Sequence, residues 1–213
     1  MSDAFERTDI VIPVFAGEAA VRRCLESVLA SAAASVADIV VVDDASPEPA
    51  IADYLRTLAT ANKVTLLRHE HNKGFVESVN EAAELHPDRD FVILNADTEV
   101  AGDWLQRLQH HAARNDAVAT VTPFSNNATI ASFPNLVESN ALPRGETTAS
   151  LHALFSSEND QNTVDIPTAI GFCTFIRRAA WQEAGGFDTV FGKGYGEEVD
   201  FCCKLSAGGW QHL

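Results

Sequence analysis

Two rhythms of apolar and polar positions alternate along this chain. Short, mostly apolar runs occupy the segments Ile10–Phe15, Asp38–Val42, Val64–Leu67, Phe91–Leu94 and Val118–Val121. Each has the length of a strand, and most are rich in β-branched residues. Between them the apolar positions fall on single helical faces: Val21, Cys24, Leu25, Val28 and Leu29; Ile51, Tyr54, Leu55 and Leu58; Phe75, Val76, Val79 and Ala83; Trp104, Leu105, Leu108 and Ala112. Strands without polar alternation are buried on both faces. Separated by helices, they predict parallel βαβ units with right-handed crossovers, and so a doubly wound, mostly parallel α/β sheet with helices on both faces.

The rhythm breaks between Ser125 and Val164, a stretch rich in Ser, Asn, Thr and Pro that predicts loops and a short helix near Leu151–Phe155. It resumes at Ile170–Ile176, followed by a helix over Arg178–Ala184 with a Gly185-Gly186 stop and another over Glu197–Ala207 ending at Gly208-Gly209. A last strand begins at Trp210–Leu213, which suggests that the sequence is a piece of a longer protein.

Composition narrows the reading only a little. The chain has 213 residues, enough for one sizeable core. A formal charge of −15 argues against a nucleic-acid partner, whose phosphates that surface would repel. No apolar run reaches the ~20 residues of a membrane span, and the first residues have no signal-peptide core. Cys24, Cys173, Cys202 and Cys203 lack metal spacing and read as buried thiols in a reducing cytoplasm.

Open α/β sheets bind ligands beyond the carboxyl ends of their strands. Those ends carry Phe15, Asp43-Asp44, His69–Asn72 and Asn95-Ala96-Asp97. Asp44 and Asp97 on one edge would repel each other unless a cation or a donor-bearing ligand lay between them, and oxygen ligands suit Mg²⁺ or Mn²⁺. Either aspartate reads equally as a turn or N-cap residue, helped by Ser46-Pro47 or Thr98. No glycine-rich phosphate loop follows the first run, so a bound diphosphate would be handled by metal rather than by a helix N-terminus. Downstream, Gly194-Tyr-Gly-Glu-Glu-Val-Asp200 places three acids at a helix start. There they either answer the helix dipole or supply a general base.

Taken together these segments resemble glycosyltransferase family 2, of GT-A fold, over essentially the whole chain. The resemblance rests on IVIPVF with CLESVLA, IVVVDDAS, NKGFVESVN, LNADTEV and GFDTVFGKGYGEEVDFCCKL, in that order. It implies one domain over 1–213, with a nucleotide-sugar-binding half (1–122) and an acceptor and catalytic-base half (123–213). Pro13, Val14 and Phe15 would line the base pocket and Asp44 would accept a hydrogen bond from the base. Gly74 and Asn80 would sit near ribose or diphosphate, beside Asn95 and Ala96, and Asp97 would ligate Mn²⁺ or Mg²⁺. Glu198 would be the catalytic base, supported by Glu197 and Asp200.

The implied reaction is inverting transfer from a nucleoside-diphosphate sugar, UDP-linked first, to a glycan or lipid-linked acceptor in polysaccharide or cell-surface glycan synthesis. The implied setting is cytoplasmic, with the inner membrane face reached through other regions or partners. Ser125–Thr129 and Thr163–Gly171 are the expected specificity segments. The family pattern is departed from at Asn95, which replaces the first acid of DxD, and at Val79, where a basic residue is common. A further metal ligand, a His, often follows on the next strand; His212 lies too close to the preceding helix to match it. A non-catalytic or truncated nucleotide-sugar-binding module is the alternative reading, and a metal-dependent nucleotidyltransferase a third.

Overall fold

The computed structural model describes residues 7–159 and 162–213. Seven strands form one sheet: β1 (Thr8–Val14), β2 (Ala37–Asp43), β3 (Thr65–Arg68), β4 (Phe91–Leu94), β5 (Val118–Val121), β6 (Cys173–Ile176) and β7 (Gln211–His212). Their order is β3-β2-β1-β4-β6-β5-β7. Only β6 runs antiparallel to its neighbours, β4 and β5. The helices are α1 (Glu18–Ala30), α2 (Pro49–Thr60), α3 (Phe75–Ala83), α4 (Trp104–Ala113), α5 (Thr148–Glu158), α6 (Arg178–Ala184) and α7 (Glu197–Ala207).

The pleat sorts each apolar run onto two buried faces. Ile10, Ile12 and Val14 of β1, with Ile39 and Val41 of β2, pack under α1, α2 and α4. Val11 and the alternate residues Val40 and Val42 pack with α3, α6 and α7. This is why the strands show no polar alternation. Pro13 is tolerated in a central strand because of its register. Asp9 bonds towards Asp90 at the start of β4 and Val14 towards β2, so the odd positions face β4. The β4 pairing stops at Val11, and no ladder hydrogen bond is lost at Pro13.

One expectation is overturned. The β4–α4–β5 connection does not have the right-handed form, because α4 packs on the same face as α1 and α2. Over β4, β6 and β5 the opposite face is filled by α6 and α7. The crossover is an exception to the usual hand of parallel connections, and it passes over β6, which is antiparallel to both strands it joins. A second correction concerns the thiols: Cys24, Cys173 and Cys202 are buried, but Cys203 is exposed. One residue along a helix turns about 100°, so the neighbour of a buried Cys202 faces solvent. Among the described residues, no helix is long and apolar enough to cross a membrane.

The segment between β5 and β6 is pinned by Asn140, whose amide donates to the carbonyls of Asn126, Asn135 and Glu138. Its helix α5 has a capping box between Thr147 and Ser150 and no buried residue. Phe124, Phe133 and Phe155 instead pack edge to face or tilted against one another near the surface.

His212 is buried in β7. Its Nε2 lies 3.2 Å from the Cys202 carbonyl and its Nδ1 2.8 Å from Thr120 Oγ1. A carbonyl only accepts, so Nε2 carries the proton and the Thr120 hydroxyl donates to Nδ1. Burial lowers the His212 pKa below its ordinary value. The unfolded chain therefore takes up this proton first, and stability falls as pH drops through the ordinary histidine value of 6.5. His212→Ala should cost about 1–3 kcal/mol at pH 8, and denaturant titrations at pH 8 and pH 5.5 should show a smaller acid-side loss than in the wild type.

Candidate active site

At the carboxyl edge, the strand order reverses between β1 and β4, whose connections lead towards opposite edges of the sheet. This topological switch point is where a doubly wound sheet opens a crevice. Pro13 and Phe15 lie on one side of it, and the Asn95–Asp97 turn on the other. Phe15 is exposed, Pro13 half-buried and Val14 buried in the core. Glu48 holds the loop after β1: its carboxylate accepts from the backbone N–H of Gly17 at 2.6 Å and of Glu18 at 3.2 Å. An acid there satisfies orphan donors at the start of α1.

The two aspartates after β2 divide their work. Asp43 forms the turn, accepting from the Ser46 N–H at 2.8 Å. Asp44 is buried and gathers the next loop. Its Oδ1 accepts from the Lys73 N–H at 2.7 Å and lies 2.7 Å from His69 Nδ1, and its Oδ2 accepts from the Gly74 N–H at 2.8 Å. An open cavity of about 500 Å³ lies beside it, lined by Ala45, Ser46, Arg68, His69 and Glu70.

Gly74 begins α3 at φ +93°, and a Cβ there would meet Gly192 O and Lys193 Cα, both at 2.9 Å. Only glycine allows the loop before α7 to come this close. Asn80 is turned inward. Its amide accepts from the Phe187 N–H at 3.1 Å and donates to the Phe187 carbonyl at 2.9 Å, so both its polar atoms join α3 to the GFD segment.

The run LNADTEV ends β4 in a tight turn, closed by Thr98 N–H donating to the Asn95 carbonyl at 3.0 Å. Cys24 Sγ also donates to that carbonyl, at 3.5 Å, and Asn95 N–H donates to the Phe172 carbonyl at 2.8 Å. Ala96 packs against the core. Asp97 at the tip is exposed and receives no hydrogen bond from the described residues.

Across the edge, α7 starts after a turn in which Gly192, Gly194, Tyr195 and Gly196 all have positive φ. For Tyr195 that backbone is strained, and the residue is almost wholly exposed. Glu197 is buried and Glu198 half-buried, and Oε2 of each is buried without a partner among the described residues. Burial pushes the Glu197 carboxyl above its ordinary pKa, against the lowering effect of hydrogen bonding from its own N–H, with the neighbouring Glu198 charge adding to the rise. Glu198 Oε1 comes within 3.9 Å of where a Gly171 side chain would begin. Phe172 and Gly171 therefore link the Asn95 turn to α7. Asp200 faces elsewhere, paired with Lys204 at 2.6 Å.

A family model for glycosyl transferase family 2 matches residues 9–185, which spans every strand of the sheet except β7. The chain belongs to this family. Its fold is GT-A: a solved structure of GalNAc-T7 with UDP, GalNAc and Mn²⁺ aligns with TM-score 0.74 and 17% identity, over 100% of this chain and 43% of that one. The mannosyltransferase PcManGT from Pyrobaculum calidifontis, in complex with GDP-Man and Mn²⁺, aligns with TM-score 0.68 and 18% identity, over 98% of this chain and 55% of that one. The chain thus spans about half the length of these structures. No curated protein matches its sequence.

Two features bear on metal binding in this family 2 chain. His212 is not available as a ligand at the switch point, because both ring nitrogens are engaged in the core. Asp9, Asp38 and His86 do bring ligand atoms within 4.8 Å of one another, a set that could hold a metal. They lie at the opposite, amino edge of the sheet, where Arg89 bonds both aspartates and Arg7 bonds Asp38. The two guanidiniums already balance the two carboxylates there.

Glu48, Lys73 and Glu81 have no role assigned from the sequence, while His69 is marked there only as part of a strand end and Gly171 only as the end of a specificity segment. His69 stands at a highlighted strand end and Lys73 inside NKGFVESVN, but their shared partner Glu81 lies on the next helix and no local spacing marks it. Gly74→Ala should lose about 1–3 kcal/mol from backbone strain and the Gly192–Lys193 contact, read as a lowered midpoint in thermal unfolding. Because folding raises the Glu197 pKa, its ionisation costs stability as pH climbs from the ordinary glutamate value of 4.5 through the raised one. Glu197→Gln should therefore raise the melting temperature at pH 8, with the gain disappearing below about pH 4.

Proposed function

We propose that this chain is an inverting, metal-dependent glycosyltransferase domain. It moves a sugar from a nucleoside-diphosphate donor, UDP-linked first, to a hydroxyl of a glycan or lipid-linked acceptor. One observation carries the reading. The crevice at the switch point sets an exposed, uncommitted carboxylate, Asp97, on the same edge as two glutamates with unpartnered buried oxygens. The UDP and GDP-Man held with Mn²⁺ in the two similar structures support a nucleotide-linked donor and a divalent ion.

In this reading residues 1–122 serve the donor and 123–213 the acceptor. Pro13 and Phe15 wall the base, Val14 contributes backbone only, and Asp44 keeps a lone pair on Oδ2 for a base N–H. Gly74 offers bare backbone near the phosphates, while Asn80 acts indirectly by holding the Phe187 segment. The donor set fits Mn²⁺ or Mg²⁺: such ions bind through one or two carboxylates plus phosphate oxygens and water, and Asp97 has its carboxylate free. Asn95 adds at most a neutral oxygen. An ion held by Asp97 would neutralise charge on the departing diphosphate.

Glu198 rather than Glu197 is taken as the base because it is half-buried while Glu197 is buried, which leaves it the more open of the two to an acceptor hydroxyl. Glu198 takes the hydroxyl proton as that oxygen bonds to the anomeric carbon. The bond from that carbon to the diphosphate breaks on the opposite side, which inverts the centre. Glu197 and the α7 N-terminus hold Glu198 in place, and Asp200 steadies the helix through Lys204. The acceptor and the pathway follow the family's common use in polysaccharide and cell-surface glycan synthesis.

Glu198→Gln should lower transfer by about 10²–10⁴-fold, the usual worth of positioned proton transfer, while calorimetry with UDP and Mn²⁺ gives an affinity within about threefold of wild type. Equal loss of both would sink the base assignment. Asp97→Asn should remove the Mn²⁺ enhancement of UDP binding. A wild type that binds UDP without any transfer or donor hydrolysis would instead point to a binding module.

A further inference from the structure

His69 follows β3 and is buried between two carboxylates. Its Nδ1 lies 2.7 Å from Asp44 Oδ1 and its Nε2 3.1 Å from Glu81 Oε2. Its backbone N–H donates to the Asp43 carbonyl at 2.9 Å, so the ring has little freedom. Carboxylates only accept, and both contacts are hydrogen bonds only when both ring nitrogens carry protons. Lys73 Nζ reaches the same Glu81 oxygen at 2.7 Å. The result is a line of alternating groups, Asp44, His69, Glu81 and Lys73, running from the buried loop to the surface of α3.

We propose that His69 is the positioning residue for Asp44, setting the orientation in which that carboxylate meets the nucleotide. The proposal rests on the donor-binding reading of this edge. A carboxylate has about four lone-pair sites. His69 and the Lys73 N–H occupy the two on Oδ1, and the Gly74 N–H takes one on Oδ2. One acceptor site remains, on Oδ2. The two backbone donors are consecutive in the chain and hold one oxygen each, which sets the plane of the carboxylate. His69, at the β3 end of the same loop, adds the second donor on Oδ1, which keeps that oxygen occupied and leaves the free acceptor site on Oδ2. Glu81 orients the far side of the ring and, being partly exposed, contributes less than the buried contact.

Side-chain isosteres separate this role from that of a simple staple between β3 and α3. The Asn amide nitrogen occupies the place of Nδ1 and reaches Asp44 but not Glu81; the Gln amide nitrogen occupies the place of Nε2 and reaches Glu81 but not Asp44. The probes are UDP with Mn²⁺ and GDP with Mn²⁺, titrated calorimetrically into the whole chain, with thermal unfolding of each variant alongside. For the nucleotide that the wild type binds, His69→Ala should weaken affinity about tenfold or more, as expected for a lost hydrogen bond to a charged group. His69→Asn should recover most of that loss, and His69→Gln should resemble the alanine variant. Glu81→Gln keeps the buried contact and should change affinity by less than about threefold. Rescue by Gln rather than Asn would overturn the proposal, as would affinities that stay at the wild-type value while the melting temperatures fall. A wild type that binds neither nucleotide would instead bring down the donor reading on which the proposal stands.

Discussion

The carboxylate of Asp44 is the point on which the carboxyl edge is assembled. It stands one residue beyond β2, is nearly sealed from solvent, and draws in two consecutive backbone N–H groups and an imidazole. A buried carboxylate left unpaired costs several kcal/mol, and hydrogen bonds from backbone and imidazole offset that cost. The donors come from the loop that ends β3 and begins α3, so satisfying this one group decides where α3 starts. Through Gly74 it also decides how closely the Gly192–Lys193 backbone can lie, and hence where α7 and its glutamates begin.

A large part of this architecture was legible in the sequence because both faces of the sheet are buried. Runs such as Ile10–Phe15 and Phe91–Leu94 carry no polar interruption, and that absence is itself a signal of a covered parallel sheet. The helices between them declared their inner faces by spacing, and the observed buried residues of α1 (Val21, Cys24, Leu25 and Val28) are members of that stripe. The side of the sheet chosen by α4 was not legible. It depends on β6 entering the sheet from more than fifty residues downstream and on α6 and α7 filling the other face, and neither leaves a mark near Trp104–Ala113.

The candidate site was legible in its anchors rather than in its wiring. Asp97 at a strand end and Glu197-Glu198 at a helix start are visible as acids where apolar periodicity stops. What each acid does depends on partners remote in sequence. Asp44 looked free and is largely consumed by the loop it holds. Asn80 looked like a ligand-facing amide and is closed on the backbone of Phe187. The turn chemistry expected beside Ser46 belongs to Asp43 instead. Such allocations are made by tertiary hydrogen bonds, and two adjacent aspartates cannot be told apart by spacing alone.

The contact between Gly74 and the Gly192–Lys193 backbone makes the molecule stiff where the β3–α3 loop meets the segment before α7. Main chain resting on main chain has no rotamers to adjust, so displacement on one side passes to the other without being absorbed. Register between the β3–α3 loop and the start of α7 is therefore a property of the backbone. Side chains around the crevice can be exchanged while the spacing between these two segments stays the same.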